Sequence, residues 1–354
     1  MEVISLKEHC FKKIIVPVMA VLCLLLAGSA PGTVLTAFPA DASDEKPAPL
    51  AQTLSGSRTL PAADVRQQEE TVSANSQFLR CMHYNEKEFT KSINSLSGHA
   101  ARTSPLDIST DTGSGSILGG IVPHHLLAGR LIADFFHELA QDPPETVIVL
   151  GPNHDLTGVR KIHTSSTAWA SPFGTLDAAL HLTDMLVTEA GAAQNDELFE
   201  NEHSVSSLIP YIKYYLPDAQ IVPVLLHGSY TTEESKKLGS ILARMITDDP
   251  GTIVIASTDF SHYLDVARAD EMDAVTLEAI LSWDLEALSR MGSDNLDSVP
   301  SIITLLTAMD AVRARDIDVT AHSNSSRITG SGYDYTTSYF TMFFRRSGQD
   351  DTLP

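Results

Sequence analysis

Short runs of Ile, Val and Leu recur along this chain, each about the length of one strand, and three of the strand ends lead into His or Asp. The runs are Ser116 to Val122, Glu145 to Gly151, Ala219 to Leu226 and Gly251 to Ala256. Runs of this length and composition read as strands buried on both faces. Between them lie helical patterns. Leu127, Leu131, Phe135 and Leu139 recur at four-residue spacing, and Thr232 to Ile246 opens with a capping hydroxyl and early acids. Asp270 to Leu281 and Ser301 to Arg315 are long enough for helices, and Asp316 to Ala321 and Thr337 to Phe344 read as further strands. Alternation of this kind predicts an α/β fold, with a central mostly parallel or mixed sheet flanked by helices in a single large domain over residues 76–346.

Composition agrees and narrows the choices. The chain has 354 residues, of which 43% are hydrophobic and 19% charged, which describes a folded protein with a sizeable core. Asp and Glu number 45 against 24 Lys and Arg, for a formal charge of -21, so partners that are nucleic acids are excluded. Cys10, Cys23 and Cys81 are the three cysteines, too few for a disulfide framework or a Cys-rich zinc cluster. Lys7, Lys12 and Lys13 precede an apolar run from Ile14 to Ala27 and then Gly28, Ser29 and Ala30. That is the layout of an export signal, so residues 1–38 are expected to be a signal peptide or an N-terminal membrane anchor, with any membrane contact confined to them. Leu22 before Cys23 rules out a lipobox. Residues 39–75, rich in Ala, Pro, Ser and acids, read as a disordered linker, and 347–354 as a C-terminal tail. The body is therefore expected outside the cytoplasm. Residues 1–42 carry three acids and three bases, so the acidity belongs to that body.

The strand ends carry the chemistry. One strand runs into Pro123-His124-His125, the next into Asn153-His154-Asp155, and another into Ser257-Thr258-Asp259-Phe260-Ser261-His262. In open α/β sheets ligands bind outside the carboxyl ends of the strands, so His124, His154, Asp259 and His262 are brought to one rim. Glu202-His203-Ser204 adds a further pair before the helix entering Ser207 to Tyr215. Imidazole and carboxylate converging on one face suit a divalent metal or an acid/base pair. Each also has a plainer reading: a His after a strand commonly caps a helix or binds a carbonyl, and Asp259 reads equally as the N-cap of a turn. Asp111-Thr112-Gly113-Ser114 copies an aspartic-protease tetrapeptide only once and reads as a turn. Gly113-Ser114-Gly115 lacks the strand and third glycine of a dinucleotide loop.

These pieces in this order resemble the Memo-like family, which includes AmmeMemoRadiSam system protein B. The resemblance rests on Ile121-Val122-Pro123-His124, Leu150-Gly151-Pro152-Asn153-His154, Glu202-His203-Ser204-Val205, Ile221-Val222-Pro223-Val224-Leu225 and Ser257-Thr258-Asp259-Phe260-Ser261-His262-Tyr263. Tyr84-Asn85 and Ser338-Tyr339 add weaker support. The resemblance implies a fold like that of class III extradiol ring-cleaving dioxygenases, His124 and His154 as metal ligands, and Asp259, His262, His203 and Glu202 as catalytic candidates in the same cavity. It also implies a radical-SAM system partner. The family pattern supplies a cysteine as third ligand, where this chain reads Asn295-Leu296-Asp297-Ser298. Asp297 falls nearest that position and would give a two-His-one-carboxylate set, favouring iron over the alternatives copper and zinc. A second departure is Ser206, where the family commonly places a glutamate. Three functions stay open on the residues: a non-haem metal-dependent, dioxygenase-like enzyme, a metal-handling protein, and a module that binds a small molecule or peptide.

Overall fold

The computed structural model describes residues 78–94, 115–331 and 335–347; the leader, the linker, the Asp-Thr-Gly-Ser turn and the tail beyond Ser347 lie outside the described residues. The strands in chain order are β1 (Leu79–Arg80), β2 (Gly115–Val122), β3 (Thr146–Asn153), β4 (Ile162–Thr164), β5 (Trp169–Ser171), β6 (Gly174–Leu176), β7 (Ala193–Gln194), β8 (Gln220–His227), β9 (Thr252–Ser257), β10 (His262–Leu264), β11 (Asp316–Asn324) and β12 (Thr336–Ser347). The central sheet runs β10-β12-β2-β9-β3-β8-β4-β7, with β11 paired to β12. Its middle, β2-β9-β3-β8, is parallel throughout, while β12 and β4 join antiparallel on either side. The expected α/β domain with a mixed sheet is what the chain forms.

The parallel middle explains the unbroken apolar runs. Ile148, Leu150, Val254 and Ala256 face the helices Thr232–Asp248 and Val299–Ala311 through Leu238, Leu242, Leu305 and Met309. Their neighbours Val147, Val149, Ile253 and Ile255 face the helices Gly129–Leu139 and Ile209–Tyr215 through Ile132, Phe136 and Ile212. Side chains alternate faces along a strand, so covering both faces requires every position to be apolar. Among the described residues no helix is long and apolar enough to cross a membrane.

Some sequence expectations shift. Of the expected stripe, Phe135 and Leu139 are buried, joined by Ile132 and Phe136, whereas Leu131 is only partly buried and Leu127 lies in a 3-10 turn ahead of the helix, which starts at Gly129. The strand expected over Asp316 to Ala321 continues to Asn324, because its whole length pairs with β12. The short strands β4–β7 and β10 were not expected, since two or three residues carry no readable period.

The short helix His203–Ser206 sits directly on β3 because residue 151 has no side chain. A Cβ at Gly151 would fall 2.5 Å from Ser204 Oγ and 3.1 Å from Val205 Cγ2. Ser204 Oγ donates to the Pro152 carbonyl (2.8 Å), which fixes the same contact. Gly151→Ala is expected to destabilise the fold by about 1–3 kcal/mol through overpacking, read as a lower midpoint in chemical denaturation.

Candidate metal centre

Strand order assembles the centre. β2, β9 and β3 are consecutive in the sheet, and their carboxyl ends deliver His124, Asp259 and His154 to one edge, at the roughly 5 Å spacing of paired strands. Asp259 does not cap its own turn. Its Oδ1 accepts the backbone N–H of His124 (3.1 Å), tying the end of β9 to that of β2. Asp297 arrives from the loop before helix Val299–Ala311 and is held by Asp259 in both directions. The Asp297 N–H donates to the Asp259 carbonyl (3.1 Å), and the Asp259 N–H donates to Asp297 Oδ2 (3.3 Å).

Three donors then converge. Asp297 Oδ2 lies 3.3 Å from His124 Nε2 and 3.6 Å from His154 Nε2. Ligands about 2.1 Å from a tetrahedral ion are about 3.4 Å apart, so each imidazole stands at ligand-pair distance from Asp297; the groups whose donor atoms all lie within 4.8 Å of one another are His124 with His154 and His203, and His124 with Asp259 and Asp297. The other ring nitrogens are already engaged. His154 Nδ1 is 2.8 Å from Glu202 Oε1, and His124 Nδ1 is 3.2 Å from Ser257 Oγ. Such outer contacts fix the tautomer and leave Nε2 as the free donor. Asp297 Oδ1 is buried without a hydrogen-bond partner among the described residues. A buried carboxylate oxygen left without a donor is a costly arrangement that a cation relieves. The candidate donors around His124 are thus the imidazoles of His154 and His203 on one side and the carboxylates of Asp259 and Asp297 on the other, with Asp259 Oδ2 3.8 Å from His124 Nε2.

Electrostatics follow from this crowding. Burial raises the Asp297 carboxyl, but the imidazoles of His124 and His154 outweigh it and hold the group well below the usual carboxylate range. Burial lowers His124, and Asp259 and Asp297 overcome it to give a net rise. His154 is likewise lowered by burial and then lifted to about 10 by its bonds to Asp297 and Glu202. Glu202, raised by burial, is drawn down to about 2 by His154 and the Ser204 N–H. His203 goes the other way: burial and the neighbouring imidazoles take it to about 4.

The remaining expected residues divide. Glu202 is spent on orientation, since Oε2 accepts the His154 N–H (2.7 Å) while Oε1 takes the His154 ring and the Ser204 N–H (2.9 Å). His203 stacks on His154 with ring centroids 4.4 Å apart at 16°. His262 lies in the cavity wall with its Nδ1 buried and without a partner among the described residues. His125 turns away to Tyr339 Oη (2.7 Å), so the doubled imidazole does not join the donors. Sequence reasoning missed Ser257 and His83. His83 Nδ1 lies 2.7 Å from Ser206 Oγ, and its ring is 5.8 Å from that of His203. A His–Ser contact thus stands where the family pattern places a glutamate; the adjacent Tyr84-Asn85 motif was the available signal.

A cavity of about 660 Å³ opens on the centre, lined among others by His154, Asp297, His262, Tyr230, Tyr263 and Met291. The innermost groups are shielded: the side chains of His124 and Asp297 are 2% and 9% exposed, that of His154 32%.

A family model for Memo-like proteins matches residues 85–343, and this chain belongs to that family. It is similar to a MEMO1 family protein of Methanopyrus kandleri, 28% identical over 247 residues that cover 67% of this chain and 86% of the relative. A MEMO1 family protein of Pyrobaculum aerophilum is 28% identical over 241 residues, 66% of this chain and 85% of that one. The solved structure of an uncharacterized protein from Escherichia coli K12 aligns at 13% identity with a TM-score of 0.43, over 64% of this chain and 99% of that one.

The sign of the pH response follows for the metal-free protein. His154 is raised from 6.5 to about 10, so its contribution is complete below 6.5 and is lost as pH climbs through about 10. Glu202 is lowered from 4.5 to about 2, so its contribution is complete above 4.5 and is lost as pH falls through about 2. Thermal melts of metal-free protein are expected to peak between these limits and decline toward pH 10. In Glu202→Gln the alkaline decline should flatten, and metal affinity should fall by about 10–100-fold; a variant that melts and binds like the parent removes Glu202 from the centre.

Proposed function

We propose that His124, His154 and Asp297 hold one divalent cation, iron(II) ahead of zinc or copper, and that the protein is a metal-dependent enzyme acting on a small molecule in the adjoining cavity. The observation that carries this reading is the recessed position of the donors. A carrier exchanges its ion at an exposed site. Here Asp297, 9% exposed, lines with His154 a cavity large enough for a small molecule, and His124, 2% exposed, is buried against Asp297. A cation held by two imidazoles and a carboxylate supplies Lewis acidity and, as iron(II), access to redox chemistry.

The chain's own groups take the remaining roles. Glu202 and Ser257 orient the two ligand imidazoles. His203 stacks against His154, where burial and the neighbouring imidazoles lower its pKa, and is the imidazole we assign to exchanging a proton with a bound substrate. His262 lines the cavity that would hold the substrate. Asp259 holds the loop that presents Asp297.

Elemental analysis of the purified protein tests the reading. One metal per chain is expected, lost in His124→Ala and His154→Ala and reduced about tenfold or more in affinity in Asp297→Ala. Unchanged metal content in Asp297→Ala removes that residue from the centre, and no metal under any loading condition leaves a small-molecule or peptide-binding module as the better reading. Export is part of the proposal and rests on the basic, apolar and small-residue order of residues 1–30. Fractionation followed by N-terminal sequencing is expected to find the body outside the cytoplasm; an intact Met1 in the cytosolic fraction overturns it.

A further inference from the structure

A second cavity of about 640 Å³ adjoins the metal cavity, and Ser229 and Tyr230 line both. Its character is different. No Lys or Arg lines the first cavity, whereas Arg160, Lys161 and Lys237 line the second, together with His227 and Glu234. Glu234 is neutralised, since both its oxygens are bound by Lys161 Nζ (3.1 and 2.9 Å). Neither the Arg160 guanidinium nor the Lys237 ammonium has a carboxylate partner among the described residues. Arg80, Arg244, Arg268, Arg315 and Arg327 each pair with an acid. Two cations left over in one cleft of an acidic protein form a local positive site, and oxyanions are the ligands such forks and ammonium groups hold.

The loop that presents Arg160 is built rather than loose. It begins at His154, and Asn153 braces its first turn by donating from Nδ2 to the Thr157 carbonyl (2.7 Å). Gly158 adopts φ +101°, and a Cβ there would fall 2.4 Å from Nε2 of the fully buried His163. The backbone therefore lies close against the Nε2–Cε1 edge of the His163 ring, and the Arg160 N–H points to His163 Nε2 (3.4 Å).

We propose that this second cavity binds an oxyanion, the phosphate or carboxylate group of a small molecule, between Arg160 and Lys237. The site stands independently of whether the metal centre is loaded. Calorimetric titration of the full chain in low-salt buffer with inorganic phosphate, and separately with succinate, identifies the anion class. Saturable binding of one or the other is expected, with chloride at equal ionic strength failing to compete. An Arg160→Ala/Lys237→Ala double variant should weaken binding about tenfold or more, as expected for loss of charge-assisted hydrogen bonds. Arg160→Lys should retain part of it. Both positions are exposed, so an unchanged thermal midpoint and an unchanged metal content are expected in the double variant. No binding of either anion overturns the proposal, and so does binding of parental strength in the double variant. Anion binding that survives in the double variant and vanishes when the metal is stripped places the anion on the metal instead, and overturns the proposal while leaving the metal reading intact.

Discussion

The Asp297 carboxylate, closed in between two imidazoles, is the interaction on which the centre turns. A buried anion is costly unless positive charge or donors meet it. Here Oδ2 meets His124 and His154, and Oδ1 meets nothing among the described residues. In metal-free protein the imidazoles answer by holding protons more tightly. A cation in the same place answers the charge directly and releases those protons. Metal affinity is therefore tied to pH through the groups that would coordinate the ion, with Glu202 setting how firmly His154 keeps its proton.

The sheet makes that closure affordable in geometric terms. Parallel strands end together on one edge, so the residues after β2, β9 and β3 need no long loops to meet. Asp259 then links β9 to β2 by a side chain and to Asp297 by its backbone, which places a loop residue nearly as firmly as a strand residue. Behind it, Ser261 and Ser338 both donate to Asp273 Oδ1 (2.6 Å each), while His322 Nε2 lies 2.7 Å from Asp273 Oδ2, all fully buried. That cluster is another possible cation group with Asp270, but its oxygens are already occupied and Asp270 is paired with Arg327, so its role is to lock β10 and β12 behind the centre.

The sheet and the rim were legible because both are written in composition at strand length. Buried parallel strands must be apolar at every position, and polar residues take over where the strand leaves the core; hence β2, β3, β8 and β9, with His124, His154 and Asp259, could be read from the chain. Asp297 was singled out only by comparison with the family pattern, since nothing local distinguishes it from any other loop aspartate. What could not be read depends on tertiary contact. The His125 ring turns to Tyr339, 214 residues away, and His83 meets Ser206 at a separation of 123 residues. The buried stripe of helix Gly129–Leu139 also shifted because the start of the helix, which fixes its rotation against the sheet, is set by the turn after His125.

An Asp297 carboxylate at an ion would differ from a thiolate in more than metal preference. A thiolate is soft and large, whereas a carboxylate is hard and has a second oxygen that can accept a hydrogen bond or shift to a second coordination position. Oδ1 lacks such a bond within the described protein, and Asp297 also lines the cavity, so one residue touches both the coordination position and the substrate space. His154 is shared in a different way: it lines that cavity and begins the loop that ends at the cationic cleft of Arg160 and Lys161. The two cavities share Ser229 and Tyr230 in their linings, and the segment from His154 to Lys161 runs from one to the other.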